Sequence, residues 1–336
     1  MGRHVRLSPR EASVISNDLA HTRIVVTGAA GFVGSHLCER LVRAGACVLG
    51  LDDLSTGRHS NLASLDDHPS FEFRHCDVTV PHPVRGTVDA IMHLASPAAP
   101  GDYLAMPLAT LRAGSLGTLN MAEVARDKAA ILLLASTSEV YGDPLEHPQS
   151  ESYLGNVNPI GPRSVYDEAK RFSEAVTAQF ARMGVRTAIA RIFNTYGPRM
   201  SDVDSRVVPT FIRQACAGQA LTVAGDGSQT RSLCYVDDTV DGLTRLLTAG
   251  FADPVNIGGT HEATVLELAE MIRALCGSSS PIEFVDLPQD DPLRRRPDTT
   301  RAVRVLGWEP QVGLAEGLAR TLAWERGDAA VTAVAR

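Results

Sequence analysis

The chain has no apolar run long enough to cross a bilayer, so a membrane span is not expected. It has no basic excess either. Against 32 Lys and Arg stand 39 Asp and Glu, giving a net charge of −7 and leaving no general nucleic-acid surface to expect. Cys38, Cys47, Cys76, Cys216, Cys234 and Cys276 are scattered and form no CxxC pair. They read as reduced core thiols, not as a disulfide frame or a zinc site. The ten histidines show no ligand spacing, so no metal is expected. The first twenty residues carry Arg3, Arg6, Arg10, Glu11 and Asp18 with no apolar stretch. No secretory signal is visible there, and the cytoplasm is the expected location. What is present is ordinary for a globular protein: 44% hydrophobic and 21% charged residues over 336 positions, enough for one large α/β unit or two lobes.

A glycine-rich turn, Gly28-Ala29-Ala30-Gly31-Phe32-Val33-Gly34, follows the apolar run Arg23-Ile24-Val25-Val26-Thr27 and precedes the helical pattern Ser35 to Ala44. Strand, glycine turn and helix together let backbone amides and a positive helix end meet a pyrophosphate. A second strand, Cys47 to Leu51, ends at Asp52, 21 residues beyond Gly31. An acid about 20 residues on can accept hydrogen bonds from ribose hydroxyls and repel a 2′-phosphate, so NAD is favoured over NADP. The competing account is a tight turn followed by a solvated aspartate. Arg58, the nearby residue that could argue for NADP, reads as a surface arginine.

Further strands are expected at Ala90–Leu94 and Ala130–Ala135, with helices over Leu108–Arg126 and Val165–Met183. This alternation predicts an α/β fold: a Rossmann-like, doubly wound parallel sheet with right-handed crossovers. Ligands in such sheets bind beyond the carboxyl ends of the strands. From about residue 195 the elements shorten and Pro, Gly and Arg recur. The expected organisation is an N-terminal extension over 1–21, a dinucleotide-binding domain over 22–194, a smaller substrate lobe over 195–325 with some segments returning to the first domain, and a tail over 326–336. Within the second helix, Tyr166 and Lys170 are four residues apart and share a face. An ammonium there can sit beside the phenol and favour its phenolate, as a base working well below its ordinary pKa requires. The same spacing also occurs in helices with no catalytic role.

Together these motifs resemble the extended short-chain dehydrogenase/reductases that modify nucleotide sugars. The likeness rests on Val26 to His36, Ser136-Thr137-Ser138-Glu139-Val140-Tyr141-Gly142, Tyr166 to Lys170, and Arg191-Ile192-Phe193-Asn194-Thr195-Tyr196-Gly197-Pro198-Arg199. Within the family the chain looks most like the subgroup that decarboxylates UDP-glucuronate to UDP-xylose. That likeness comes from Leu94-Ala95-Ser96-Pro97, Pro148 to Arg163, Ser228-Gln229-Thr230-Arg231 and Asp290 to Asp298. Two positions depart from the subgroup: Ala224 stands where a tyrosine is usual, and Ala113-Gly114-Ser115 where Thr-Asn-Thr is usual.

The resemblance implies that Tyr166 takes the proton of the sugar 4-hydroxyl while hydride passes from C4 to the nicotinamide. The 4-ketone then loses carbon dioxide from C5, and the hydride returns. It implies catalytic roles for Tyr166, Lys170, Thr137, Ser138, Glu139 and Arg295, and cofactor contacts from Gly28, Gly31, Phe32, Val33, Gly34, Asp52, Asp77, Val78, Leu94, Ala95, Tyr166 and Lys170. Substrate contacts are implied for Pro97, Tyr103, Glu139, Asn194, Arg199, Val208, Arg231 and Arg295. Arg295 is expected to face the substrate carboxylate, which a guanidinium fork suits geometrically. The alternative is one member of a solvated Arg294-Arg295-Arg296 run. Thr137 and Ser138 could simply cap a strand end, and Asn194 could be a turn residue. A homodimer paired through the two long helices is also implied. A nucleotide-sugar 4,6-dehydratase, a 4-epimerase and a silent NAD-binding scaffold remain as alternatives. The dehydratases usually carry an aspartate where this chain has Ser138.

Overall fold

The computed structural model describes residues 19–287 and 292–327. The expected extension, apart from its last three residues, most of the expected tail, and Asp290-Asp291 lie outside the described residues.

The glycine turn is flanked by the elements expected. β1 (Arg23–Thr27) leads into α1 (Phe32–Arg43), then β2 (Cys47–Asp52), β3 (Phe71–His75) and β4 (Ala90–His93). The apolar run of β1 has no polar alternation because both of its faces are covered. Ile24 and Val26 enter one core with Leu37 and Leu41 of α1, while Val25 enters the other with Ile91 and Leu132.

The expected helix over Leu108–Arg126 is divided. After α2 (Pro100–Ala105), α3 (Pro107–Arg112) passes through a π-helical turn, Ala113–Gly117, into α4 (Thr118–Lys128). The cause is close packing. A Cβ at Gly114 would sit 2.7 Å from the Cβ of Ala169 on the neighbouring helix, and the Gly114 carbonyl accepts a hydrogen bond from Ser173. Beyond it come β5 (Ile131–Thr137), α5 (Ser164–Arg182) and β6 (Thr187–Ile192).

The second half supplies β7 (Thr195–Tyr196), α6 (Val207–Cys216), β8 (Leu221–Ala224), β9 (Thr230–Ser232), β10 (Cys234–Tyr235) and α7 (Val236–Ala249). Then follow β11 (Pro254–Ile257), β12 (Glu262–Thr264), α8 (Val265–Cys276), β13 (Ile282–Val285), β14 (Arg294–Arg295), α9 (Thr300–Leu306) and α10 (Leu314–Glu325).

The main sheet is parallel throughout, in the order β11-β6-β5-β4-β1-β2-β3. The chain winds outward in both directions from β1 and β4, so their carboxyl ends open a crevice at the switch point. In the second half, α7 packs on α1 and β11 extends the main sheet. Three short sheets (β10-β7, β12-β9-β14 and β13-β8) form the rest of its pairing. Among the described residues, no helix is long and apolar enough to cross a membrane.

Candidate active site

Gly28 leaves β1 with φ +70°, and a Cβ there would lie 2.9 Å from the Ala95 amide nitrogen beyond β4. A Cβ at Gly34 would fall 1.9 Å from the Gly28 carbonyl oxygen. The turn therefore admits only glycine at these two points, and the start of α1 is pressed against the crevice. Asp52 closes the same end of β2. Its Oδ2 accepts the Ala30 amide at 2.9 Å and its Oδ1 the Leu54 amide at 2.8 Å. Burial raises its carboxyl above the usual range even though both amides act the other way. Arg58 is more than a surface arginine. It lines the cavity, pairs with Asp202 at 2.8 Å and donates to the Met200 carbonyl, tying the first half of the chain to the second.

Behind the turn runs a polar chain that sequence reasoning missed. The Leu94 and Ala95 amides both donate to Thr27 Oγ1 at 3.1 Å, so the Thr27 hydroxyl donates onward to His93 Nδ1 at 2.8 Å. The proton of His93 therefore sits on Nε2, which faces Thr118 Oγ1 at 3.2 Å. Thr118 then donates to Ser173 at 3.0 Å. Burial, and Lys170 behind it, lower the His93 pKa to about 3, so the ring stays neutral. The network fixes the ends of β1 and β4 against α4 and α5. A histidine closing an apolar strand beside the glycine turn was the available signal.

At the end of β5, the Thr137 hydroxyl accepts the Glu139 amide at 3.2 Å and hydrogen-bonds the Tyr166 phenol. It is both a cap and a partner of the phenol. The Tyr166 ring stacks on Tyr103, with centroids 5.2 Å apart and planes at 7°. Lys170 shares the face as its spacing predicts, but its Nζ donates to the Ala135 carbonyl at 2.8 Å and stands 5.8 Å from the Tyr166 ring centre. The ammonium thus stands near the Tyr166 ring while its hydrogen bond goes to the backbone. Burial pushes the Tyr166 phenol well up, Thr137 opposes this, and burial pushes the Lys170 ammonium down to about 8.

Glu139 lies between two guanidiniums. Arg295, buried to 2% exposure, meets it at 3.1 and 3.3 Å, and Arg163 donates to it at 2.8 Å. Although buried, Glu139 is held at about 2, chiefly by Arg295 and then Arg163. Arg295 also donates to Ser138 Oγ and to the Gly142 carbonyl, each at 3.0 Å. Its terminal nitrogens therefore engage the protein's own acceptors, while its buried Nε–H has no hydrogen-bond partner. This is not the solvated arginine run that its neighbours suggested. Arg163 and Asp167 were not singled out from the sequence, although Arg163 sits one turn before Tyr166 and Asp167 is adjacent to it.

Every residue nominated from the sequence lines one cavity of about 970 Å³. Around the glycine turn it is lined by Gly28, Gly31, Phe32, Val33, Gly34, Asp52, Asp77, Val78, Leu94 and Ala95. Pro97, Tyr103, Asn194, Val208, Arg231 and Arg295 line it as well, with Thr137, Ser138, Glu139, Tyr166 and Lys170, while Arg199 lies on the α1 side. Two of the nominated arginines are engaged by the protein itself. Arg199 pairs with Glu39, and Arg231 donates to the Thr230 and Pro292 carbonyls at 2.8 and 2.9 Å. The buried Tyr103 hydroxyl, like Arg295 Nε, has no partner. Among the described residues, no cluster of three or more His, Cys, Asp or Glu is arranged to hold a metal ion.

A parallel sheet of this order with a glycine cradle, a Tyr–Lys helix and a continuous cavity defines an NAD-dependent enzyme of the Rossmann class. The chain belongs to the NAD dependent epimerase/dehydratase family, which matches residues 24–258. It is 50% identical over 301 residues to UDP-glucuronic acid decarboxylase 1 of Danio rerio, covering 89% of this chain and 72% of that protein. The dTDP-glucose 4,6-dehydratase of Streptomyces venezuelae, solved with NAD bound, superimposes with a TM-score of 0.83 at 32% identity, over 91% of this chain and 98% of that one. UDP-glucuronic acid 4-epimerase from Bacillus cereus, solved with UDP-glucuronic acid and NAD, gives a TM-score of 0.82 at 26% identity over 91% and 99%.

Proposed function

We infer that this enzyme decarboxylates UDP-glucuronate to UDP-xylose through a 4-keto sugar. The carrying observation is the buried Arg163–Glu139–Arg295 cluster beside Tyr166. Two guanidiniums and one carboxylate leave one positive charge below pH 7, where the neighbouring Asp167 carboxyl is held protonated, in a protein whose overall balance is −7. The Nε–H of Arg295 is still to be satisfied. A substrate carboxylate fits that charge and that donor, whereas a neutral hexose does not. The 50% identity to a glucuronate decarboxylase supports the same reading.

Gly28, Gly34 and the start of α1 would hold the pyrophosphate of NAD, with Asp52 on the ribose. The fit is marked by the cradle that a Cβ would fill. When bound, NAD supplies the acceptor for the C4 hydride, returns that hydride later, and brings a positive charge near the phenol. Tyr166 is the group for the 4-hydroxyl proton, held in place by Thr137 and Tyr103. Lys170, locked on Ala135, supplies a local field in place of a bond to the phenol. With C4 oxidised, the C5 carboxylate is that of a β-keto acid. The bond to the carboxyl carbon breaks, its electron pair moves into the enolate, and protonation at C5 gives the pentose ketone. Glu139 is ionised, so it can only accept hydrogen bonds as it enters this sequence.

The test is incubation with UDP-glucuronate and NAD, following carbon dioxide and UDP-xylose, with a neutral nucleotide-hexose in parallel. A 4-keto-6-deoxy product from the hexose, with no carbon dioxide from the uronate, would overturn the proposal.

The active form we propose is a homodimer through the face of α3, the π turn and α5. Leu108, Leu111, Leu116 and Phe172 are exposed there, at 64%, 37%, 47% and 46%. A twofold contact would cover them. Light scattering that returned 35.9 kDa at micromolar concentration would exclude the dimer.

A further inference from the structure

Cys216 is the last residue of α6 and Cys276 the last of α8, and their Sγ atoms lie 3.9 Å apart, although 60 residues separate them in the chain. This departs from the expectation that the cysteines are core thiols. Cys38, Cys76 and Cys234 are buried, but Cys47 is exposed at the start of β2, and Cys216 is exposed with Cys276 half-buried beside it. We propose that Cys216 and Cys276 form a reversible dithiol–disulfide site, closed by an oxidant of the peroxide class, that clamps the outer ends of α6 and α8.

The geometry carries this assignment. A disulfide needs the sulfurs at about 2.05 Å, a closing movement of roughly 2 Å from their present separation. Side-chain rotation at the two helix ends can supply much of it. Arg326 donates to the Cys276 carbonyl at 3.0 Å and places a positive charge beside Cys276. Burial, with Cys216 adding to it and Arg326 opposing it, pushes the Cys276 thiol up to about 11. Cys216 is the more exposed of the two, so it is the sulfur that meets the oxidant, and Cys276 the one that resolves it.

The Cys216 thiolate attacks one peroxide oxygen and the O–O bond breaks, giving a sulfenic acid and hydroxide, which takes up the proton the thiol released and leaves as water. Cys276 sulfur then attacks the Cys216 sulfur, the S–O bond breaks, and a second water leaves. Two thiols lose two hydrogens and one peroxide becomes two waters. The consequence reaches the cavity, because α6 begins with Val207 and Val208 and α8 with Val265, all of which line it. The clamp ties together two helices that share the wall of the substrate end, and it closes a long loop, which limits the unfolded chain.

The experiment treats the full chain with hydrogen peroxide, then maps peptides without reduction and records thermal unfolding. The expected result is one intramolecular cross-link between the Cys216 and Cys276 peptides, with a melting temperature raised by several degrees. Dithiothreitol should reverse both. Cys276→Ser should show neither, with Cys216 going on to sulfinic acid. Cys216→Ser should leave Cys276 reduced at the same dose. Wild type that accumulates sulfinic acid at Cys216 with no cross-link would overturn the site. A cross-link between two copies, or one that leaves the melting temperature unchanged, would overturn the clamp.

Discussion

Arg295 and Glu139, 156 residues apart in the chain, meet as a buried fork on a carboxylate, at 3.1 and 3.3 Å. The pair joins β14 of the second half to the turn after β5, so the floor of the cavity exists only when both halves are folded. Removing one partner of a buried pair leaves an uncompensated charge. Truncation here is therefore expected to act on both structure and turnover.

Arg295→Ala should reduce kcat/KM for UDP-glucuronate by about ten- to a hundredfold, the range expected from losing a charge-assisted bond of ~1.5–3 kcal/mol. Arg295→Lys keeps the charge but not the fork, and should recover only part of the loss. Recovery to wild-type kcat/KM in the lysine variant would show that charge alone suffices at this position.

Tyr166→Phe keeps the ring stacked on Tyr103 and removes only the hydroxyl. Turnover should fall by ~10²–10⁴-fold, the usual cost of losing a general base, while NAD binding and the melting temperature stay close to wild type. A variant within about threefold of wild-type turnover would remove Tyr166 from the proton-transfer role.

Asp52 holds the Ala30 and Leu54 amides and lines the cavity beside the glycine turn. Asp52→Asn keeps hydrogen-bonding capacity but drops the charge that repels a 2′-phosphate. The NAD-to-NADP preference should shrink mainly through tighter NADP binding, which calorimetry with each dinucleotide would measure. NADP recovered bound to the unmodified protein would reverse the assignment.

The strands around the glycine turn were legible because burial on both faces leaves a continuous apolar run, as Ile24 to Val26 shows. Tyr166 and Lys170 were legible because helical spacing is local. What stayed hidden depends on contacts between distant segments. His93 meets Thr27 across 66 residues, Arg295 meets Ser138 across 157, and Cys216 meets Cys276 across 60. The π turn was equally hidden, since only the approach of Ala169 makes Gly114 necessary. The hydrogen bond of Lys170 was hidden for a related reason. Spacing places two side chains on one face, but the Ala135 carbonyl on β5 takes the ammonium.

Asp167 gives the last prediction. It is 6% exposed, its Oδ1 has no hydrogen-bond partner, and it packs beside the arginine–glutamate cluster. Burial first, then the Glu139 charge, raise its carboxyl from 3.8 to about 7, against the pull of Arg163 and Arg295. Between those two pH values the folded protein holds a proton that the unfolded chain has released. Stability from this group is therefore present below pH 4 and is lost as pH rises through 7, at a slope of at most about 1.4 kcal/mol per pH unit. Asp167→Asn stays neutral throughout. Its stability relative to wild type should rise from pH 5 to about pH 7 and then level off, in urea unfolding at matched ionic strength. A difference that stays constant over that range would mean that Asp167 is already ionised in the folded protein at pH 5.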